Sequence, residues 1–184
     1  MTARRQWTIV LGVVLLLGAG LLAMTHALGD ELFPVTVGSD APAFTAMTLA
    51  DSGIGESRSL EDYRGRIVFL NVWATWCPPC RVEMPGMQAL HEEFGERGLS
   101  IVAVSIDNAG MQQEIMRFAR EYGLTFDILH DPEGRIRTIY QTVAVPETFI
   151  IGRDGVIIRK VIGAADWHSE ANRAAIAAML DESS

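Results

Sequence analysis

The sequence predicts an α/β domain: a mixed central sheet with helices on both faces. Three observations carry that reading. Two almost continuous apolar runs, Ile67–Trp73 (IVFLNVW) and Leu99–Ile106 (LSIVAVSI), have the pattern of strands buried on both faces. Segments with apolar residues at helical spacing alternate with them. The chain then closes with a hairpin and a helix, which adds antiparallel strands to a parallel pair.

In chain order, residues 29–37 read as a tether. Ala43–Leu49 and the turn near Gly53–Ser57 suggest a small hairpin, and Ser59 can cap one helical turn ending at Tyr63. The first buried strand follows. Residues 78–96 place Met84, Met87, Leu90 and Phe94 on one helical face. After the second strand, Met111–Tyr122 carries Ile115, Phe118, Ala119 and Tyr122 at helical spacing. Phe126–Leu129 is a short strand, and Asp131-Pro132 starts a helix to about Tyr140. Thr148–Ile151 and Val156–Ile162 flank the turn Gly152-Arg153-Asp154-Gly155 as a hairpin. Ser169–Leu180 closes the domain as a helix burying Ala174, Ile176, Ala177 and Leu180.

At 184 residues the chain suits one domain and an accessory segment. Its 49% hydrophobic and 21% charged content excludes a disordered or collagen-like chain. A net charge of −8 argues against a broad grip on nucleic acid. Lys160 is the only lysine.

The first 28 residues stand apart. No charge occurs between Arg5 and Asp30, and Trp7–Ala27 is nearly all apolar. As a helix rising about 1.5 Å per residue, that run reaches roughly 31 Å, about one hydrocarbon core. Arg4 and Arg5 lie before it, Asp30 and Glu31 after it. The positive-inside bias then places the rest of the chain on the extracytoplasmic (periplasmic) side. Three readings are open: a single-pass membrane anchor, a signal peptide cleaved after Ala27, or a buried soluble helix. The last is opposed by the lack of a polar face. The first two agree on a compartment where disulfides form.

The chemistry lies in the two cysteines. Trp76-Cys77-Pro78-Pro79-Cys80 falls where a buried strand ends and a helix begins. A helix N-terminus offers unpaired amides and a positive dipole end, both favouring a thiolate. The spacing brings both sulfurs to one side of the first turn, close enough for a disulfide. Cys77, at the open end, is the expected attacking sulfur; Cys80, one turn in, is the expected resolving sulfur. Each proline removes a backbone donor that could reach the Cys77 sulfur. A thiolate so deprived is less stabilised, which makes the dithiol a stronger reductant. Two thiolates cannot complete a four-thiolate zinc site, and His26, His91, His130 and His168 are scattered as surface or capping residues. No metal or other cofactor is implied. An inert bridge and copper carriage through the two thiolates are the alternative readings.

The run VFLNVWATWCPPCRVEMP resembles the active-site segment of the thioredoxin superfamily, and more narrowly the TlpA/ResA-like membrane-anchored thiol–disulfide oxidoreductases. The resemblance extends over residues 38–181. It includes Gly38-Ser39-Asp40-Ala41-Pro42-Ala43-Phe44, Ser59–Gly65 and Val145-Pro146-Glu147-Thr148-Phe149. It implies a thioredoxin-like fold with a helix–strand insertion near residues 111–129. It also implies a cis peptide bond before Pro146, with the Val145 backbone beside Cys77 and pairing with a bound partner. Glu83 matches the family's glutamate three residues after the second cysteine. A raised pKa there would let it exchange a proton with Cys80. Asn71 replaces the buried aspartate of thioredoxins, which moves acid–base work toward Glu83. Pro85 is expected to kink the helix. Trp76 is read as an apolar rim for partners, Trp73 as rim or core, and Arg81 as a positive charge near the sulfurs or a solvated side chain.

The resemblance implies reduction of disulfides in exported proteins, for example during cytochrome c maturation, with recharging by a membrane electron donor. A thiol peroxidase shares the fold. Its pattern wants Pro and Thr/Ser seven and three positions before the cysteine, where this chain has Leu70 and Ala74.

Overall fold

The computed structural model describes residues 3–32, 35–50 and 53–182. The chain divides into two compact units, Met1–Pro34 and Val35–Ser184.

The first unit is one helix, α1 (Ala3–Leu32). Among its described side chains, Leu15, Leu16 and Leu17 are exposed. Among the described residues no helix is long and apolar enough to cross a membrane. The helix continues past residue 28 to Leu32, taking the first part of the expected tether. The last part of that tether belongs to the second unit. Val35 is buried, Gly38 N–H donates to Ile157 O (2.8 Å), and Ile157 N–H donates to Ser39 O (2.9 Å).

The second unit is built on a seven-stranded sheet of order β2-β1-β5-β4-β3-β6-β7. The strands are β1 (Thr45–Ala50), β2 (Gly53–Ser59), β3 (Ile67–Trp73), β4 (Leu99–Ser105), β5 (Asp127–His130), β6 (Glu147–Ile151) and β7 (Ile157–Ile162). β3, β4 and β5 run parallel; β1 and β2 on one side, and β6 and β7 on the other, pair antiparallel. All seven residues of β3 are buried, as its unbroken apolar run requires.

Strand alternation sorts the core into two layers. Ile67, Phe69 and Trp73 face a cluster with α2 (Pro78–Phe94), α3 (Gln112–Glu121) and α5 (Glu170–Glu182). Val68, Leu70 and Val72 face the other layer, with Tyr63, Phe149, Tyr140 and Ile136. Asn71 shares the parity of Phe69 and Trp73, which sends its amide toward α2. A 3₁₀ turn, Leu60–Tyr63, starts at Ser59, whose N–H donates to the Asp62 carboxylate (2.7 Å).

Three expectations need correction. The helix after Asp131-Pro132 is only α4 (Arg135–Ile139), because Gly134 takes a left-handed φ of 64° and breaks the run. The Asp131 carboxylate then accepts the Ile136 N–H at 2.7 Å. In α5, Ile176 and Leu180 are buried but Ala174 is exposed, so the buried stripe is narrower than expected. His130 is not a surface residue: it is 4% exposed and its Nε2 lies 2.8 Å from Asp107 O. The His26 side chain lies outside the described residues.

Candidate active site

β3 delivers its chain to a turn in which Cys77 N–H donates to Ala74 O (3.2 Å). Cys77 then caps α2 in an extended conformation, φ −92° and ψ 107°. Pro78 and Pro79 occupy the first two helical positions, where a missing N–H costs no helical bond. The first backbone donor of the helix is therefore Cys80 N–H, and it points at Cys77 Sγ, 3.2 Å away. Arg81 N–H follows, donating to Cys77 O (3.3 Å).

The two sulfurs are joined in a disulfide with Cα atoms 5.3 Å apart. Cys77 is 2% exposed and Cys80 fully buried. Both cysteines are buried, so the sulfur expected to attack is more enclosed than an open helix end suggests. The Val145–Pro146 bond is cis, and Val145 O lies 3.5 Å from Cys77 Sγ. Trp76 is 62% exposed beside the pair, whereas Trp73 is fully buried against Phe118. Arg81 is an exposed side chain, one of the two roles considered for it. Its Nε donates to Tyr122 Oη (3.3 Å) and its guanidinium lies over the Phe118 and Tyr122 rings.

Glu83, one turn beyond Cys80, is 2% exposed. Asn71 Nδ2 donates to its Oε1 (2.9 Å), while Trp167 Nε1 (3.1 Å) and Ala165 N–H (3.3 Å) donate to its Oε2. Burial raises its pKa to about 7, against the opposing pull of those three donors. Asn71 also donates to Thr148 Oγ1 (2.9 Å), its register partner on β6. The buried acid thus sits on the helix facing β3, and the strand supplies one of its hydrogen-bond donors. A cavity of about 290 Å³, lined by Val82, Glu83, Gly86, Ala165, Trp167 and His168, lies over this carboxyl group. Pro85 lies inside α2, which runs on to Phe94.

Sequence reasoning passed over several residues here. Glu147 follows the cis proline and is fully buried. Its Oε2 accepts Val143 N–H (2.9 Å), and Lys160 Nζ stands 2.8 Å from its Oε1. A glutamate opening a buried strand, in a chain with a single lysine, was the available signal. Trp167 and Ala165 meet Glu83 from more than eighty positions away, and nothing local announces them. Among the described residues no group of three His, Cys, Asp or Glu side chains could hold a metal ion.

The model of the AhpC/TSA family matches residues 37–160. The chain belongs to that family. Over 152 residues it is 37% identical to the thiol-disulfide oxidoreductase ResA of Oceanobacillus iheyensis, covering 83% of this chain and 78% of that protein. It is 36% identical to the thioredoxin-like protein YneN of Bacillus subtilis, covering 83% of this chain and 87% of the relative. Among solved structures, a Chlorobium tepidum protein assigned as the thiol:disulfide interchange protein DsbE superposes with a TM-score of 0.67 at 26% identity. That match covers 81% of this chain and 98% of that one. The fold is thioredoxin-like, and the chain is a thiol–disulfide oxidoreductase of the ResA/DsbE type. α3 and β5 form the helix–strand unit expected as an insertion.

Proposed function

We propose that this oxidoreductase works as a reductase of disulfides in exported proteins. In the reduced enzyme the Cys77 thiolate attacks one sulfur of a substrate disulfide. That S–S bond breaks, a mixed disulfide forms on Cys77, and the departing substrate thiolate takes a proton. Cys80 then loses its proton, with Glu83 as acceptor, and attacks Cys77 Sγ. The second substrate thiol is released, leaving the Cys77–Cys80 disulfide of the present structure. Two electrons pass to the substrate, and a membrane electron donor restores the dithiol. Trp76 and the Val145–Pro146 backbone form the surface on which the substrate rests.

The observation that carries the reducing direction is the α2 N-terminus. With prolines at both intervening positions, Cys80 N–H is the helix's first backbone donor to the Cys77 sulfur. Fewer donors stabilise the reduced form less, which lowers the potential. Equilibration against glutathione tests this. A potential of about −200 mV or lower supports the reductase, and one near the roughly −120 mV of a strong oxidant overturns it.

The substrate class assigned here is the cysteine pair of an exported protein, for example the haem-attachment cysteines of a cytochrome c precursor. Residues 1–28 are assigned as the membrane anchor or signal segment, with the redox domain on the extracytoplasmic side. The apolar run between flanking charges and the exposed leucines of α1 support this. Recovery in carbonate-washed membranes, with the domain open to protease from outside, is the expected result for an anchor. Recovery in the cytoplasm contradicts the extracytoplasmic assignment.

A further inference from the structure

Asp107 lies two residues beyond β4 and is fully buried. Its side-chain partners are hydroxyls and an N–H. Oδ1 accepts Thr75 Oγ1 (2.7 Å); Oδ2 accepts Thr75 N–H (2.9 Å) and Ser105 Oγ (2.7 Å). Asp107 N–H donates back to Ser105 Oγ (3.1 Å), and its carbonyl oxygen lies 2.8 Å from His130 Nε2. Burying a carboxylate is costly unless its partners are good, so a side chain kept here must satisfy a definite demand.

That demand is visible in the neighbouring chain. Thr75 is the middle of the turn from β3 to α2, preceding Trp76 and the attacking Cys77. Irregular backbone with a buried N–H needs a partner of its own. Asp107 supplies one for the Thr75 N–H and a second for its hydroxyl. The turn is tied at a further point, where Ile106 N–H donates to Trp73 O (2.9 Å). The direction of Trp76 and the placement of Cys77 Sγ before Cys80 N–H both depend on how this turn is held.

We propose that Asp107 is a positioning residue for thiol exchange: through Thr75 it holds the turn that aims Cys77. The proposal rests on the exchange mechanism above. Asp107 acts by its hydrogen bonds, not by its charge. An asparagine can keep the arrangement, with its carbonyl accepting Thr75 N–H and Ser105 Oγ and its amide donating to Thr75 Oγ1.

The test is the pH profile of iodoacetamide alkylation at Cys77, measured on the full-length reduced chain, with far-UV circular dichroism as the folding control. Asp107→Ala is expected to slow Cys77 alkylation at neutral pH by about tenfold and to move the profile toward higher pH. Asp107→Asn is expected to stay within about twofold of the parent. A folded Asp107→Ala with the parent profile overturns the proposal, as does an Asp107→Asn as impaired as Asp107→Ala. If Asp107→Ala does not fold, Thr75→Val and Thr75→Ser decide. A slow valine variant beside a parent-like serine variant supports the clamp, and equal rates overturn it. An unreactive Cys77 in the parent itself sinks the exchange mechanism and the clamp together, whereas a reactive parent with unchanged variants sinks the clamp alone.

Discussion

Glu83 is the residue at which sequence, burial and chemistry meet. The family resemblance drew attention to it, and its pKa of about 7 follows from burial between α2 and β3. A carboxyl group that prefers its proton when folded binds more protons in the native state than in the unfolded chain. Stability therefore falls as pH rises from about 4.5 to about 7, and the contribution is flat beyond both limits. The total change is on the order of 3 kcal/mol. Glu83→Gln is expected to remove most of that slope in urea unfolding curves recorded across this range. It is also expected to shift the pH profile of disulfide exchange while the domain stays folded. A variant whose stability slope and exchange profile both overlay the parent's refutes the proton-transfer role. Spacing could place Glu83 on the Cys80 side of the helix, but not name what would bury it. Asn71 was legible as a departure from an expected acid; its bond to Glu83 was not, because it joins a strand to a helix across the core layer.

At the scale of elements, α2 is both scaffold and reagent. The hydrophobic face read from the sequence, Met84, Met87, Leu90 and Phe94, is buried. Its amide end serves the sulfur. Replacing Pro79 by histidine restores one backbone donor at the second helical position. The reduction potential is expected to rise by a few tens of millivolts, since about 30 mV corresponds to 1.4 kcal/mol for a two-electron couple. An unchanged potential breaks the link drawn between the prolines and the reducing direction. Elements with a strong local pattern, β3, β4 and α2, were legible almost to the residue. α4 was not: a helix start signal at Asp131-Pro132 lost to the left-handed turn at Gly134. The Thr75–Asp107 tie also escaped, because a separation of 32 residues carries no periodicity.

The molecule as a whole consists of two compact units, Met1–Pro34 and Val35–Ser184. Every residue assigned to exchange, from Thr75 to Trp167, lies in Val35–Ser184, which has its own sheet and two core layers. A chain starting at Val35 is expected to unfold cooperatively and to reduce insulin disulfides at the rate of the full-length protein; loss of cooperativity or of activity contradicts that assignment. The fold class was legible because buried parallel strands, helical periodicity and a terminal hairpin all pointed one way. The boundary between the units was less so, since α1 keeps its helix into the expected tether and Gly38 and Ser39 hydrogen-bond to Ile157 of β7. The account as a whole depends on a division of labour between the two sulfurs. The most direct measurement is covalent trapping in living cells with Cys77→Ser and Cys80→Ser chains. The mechanism predicts that Cys80→Ser accumulates substrate proteins in mixed disulfides released by dithiothreitol, and that Cys77→Ser accumulates none. Trapping by Cys77→Ser with none by Cys80→Ser would contradict it.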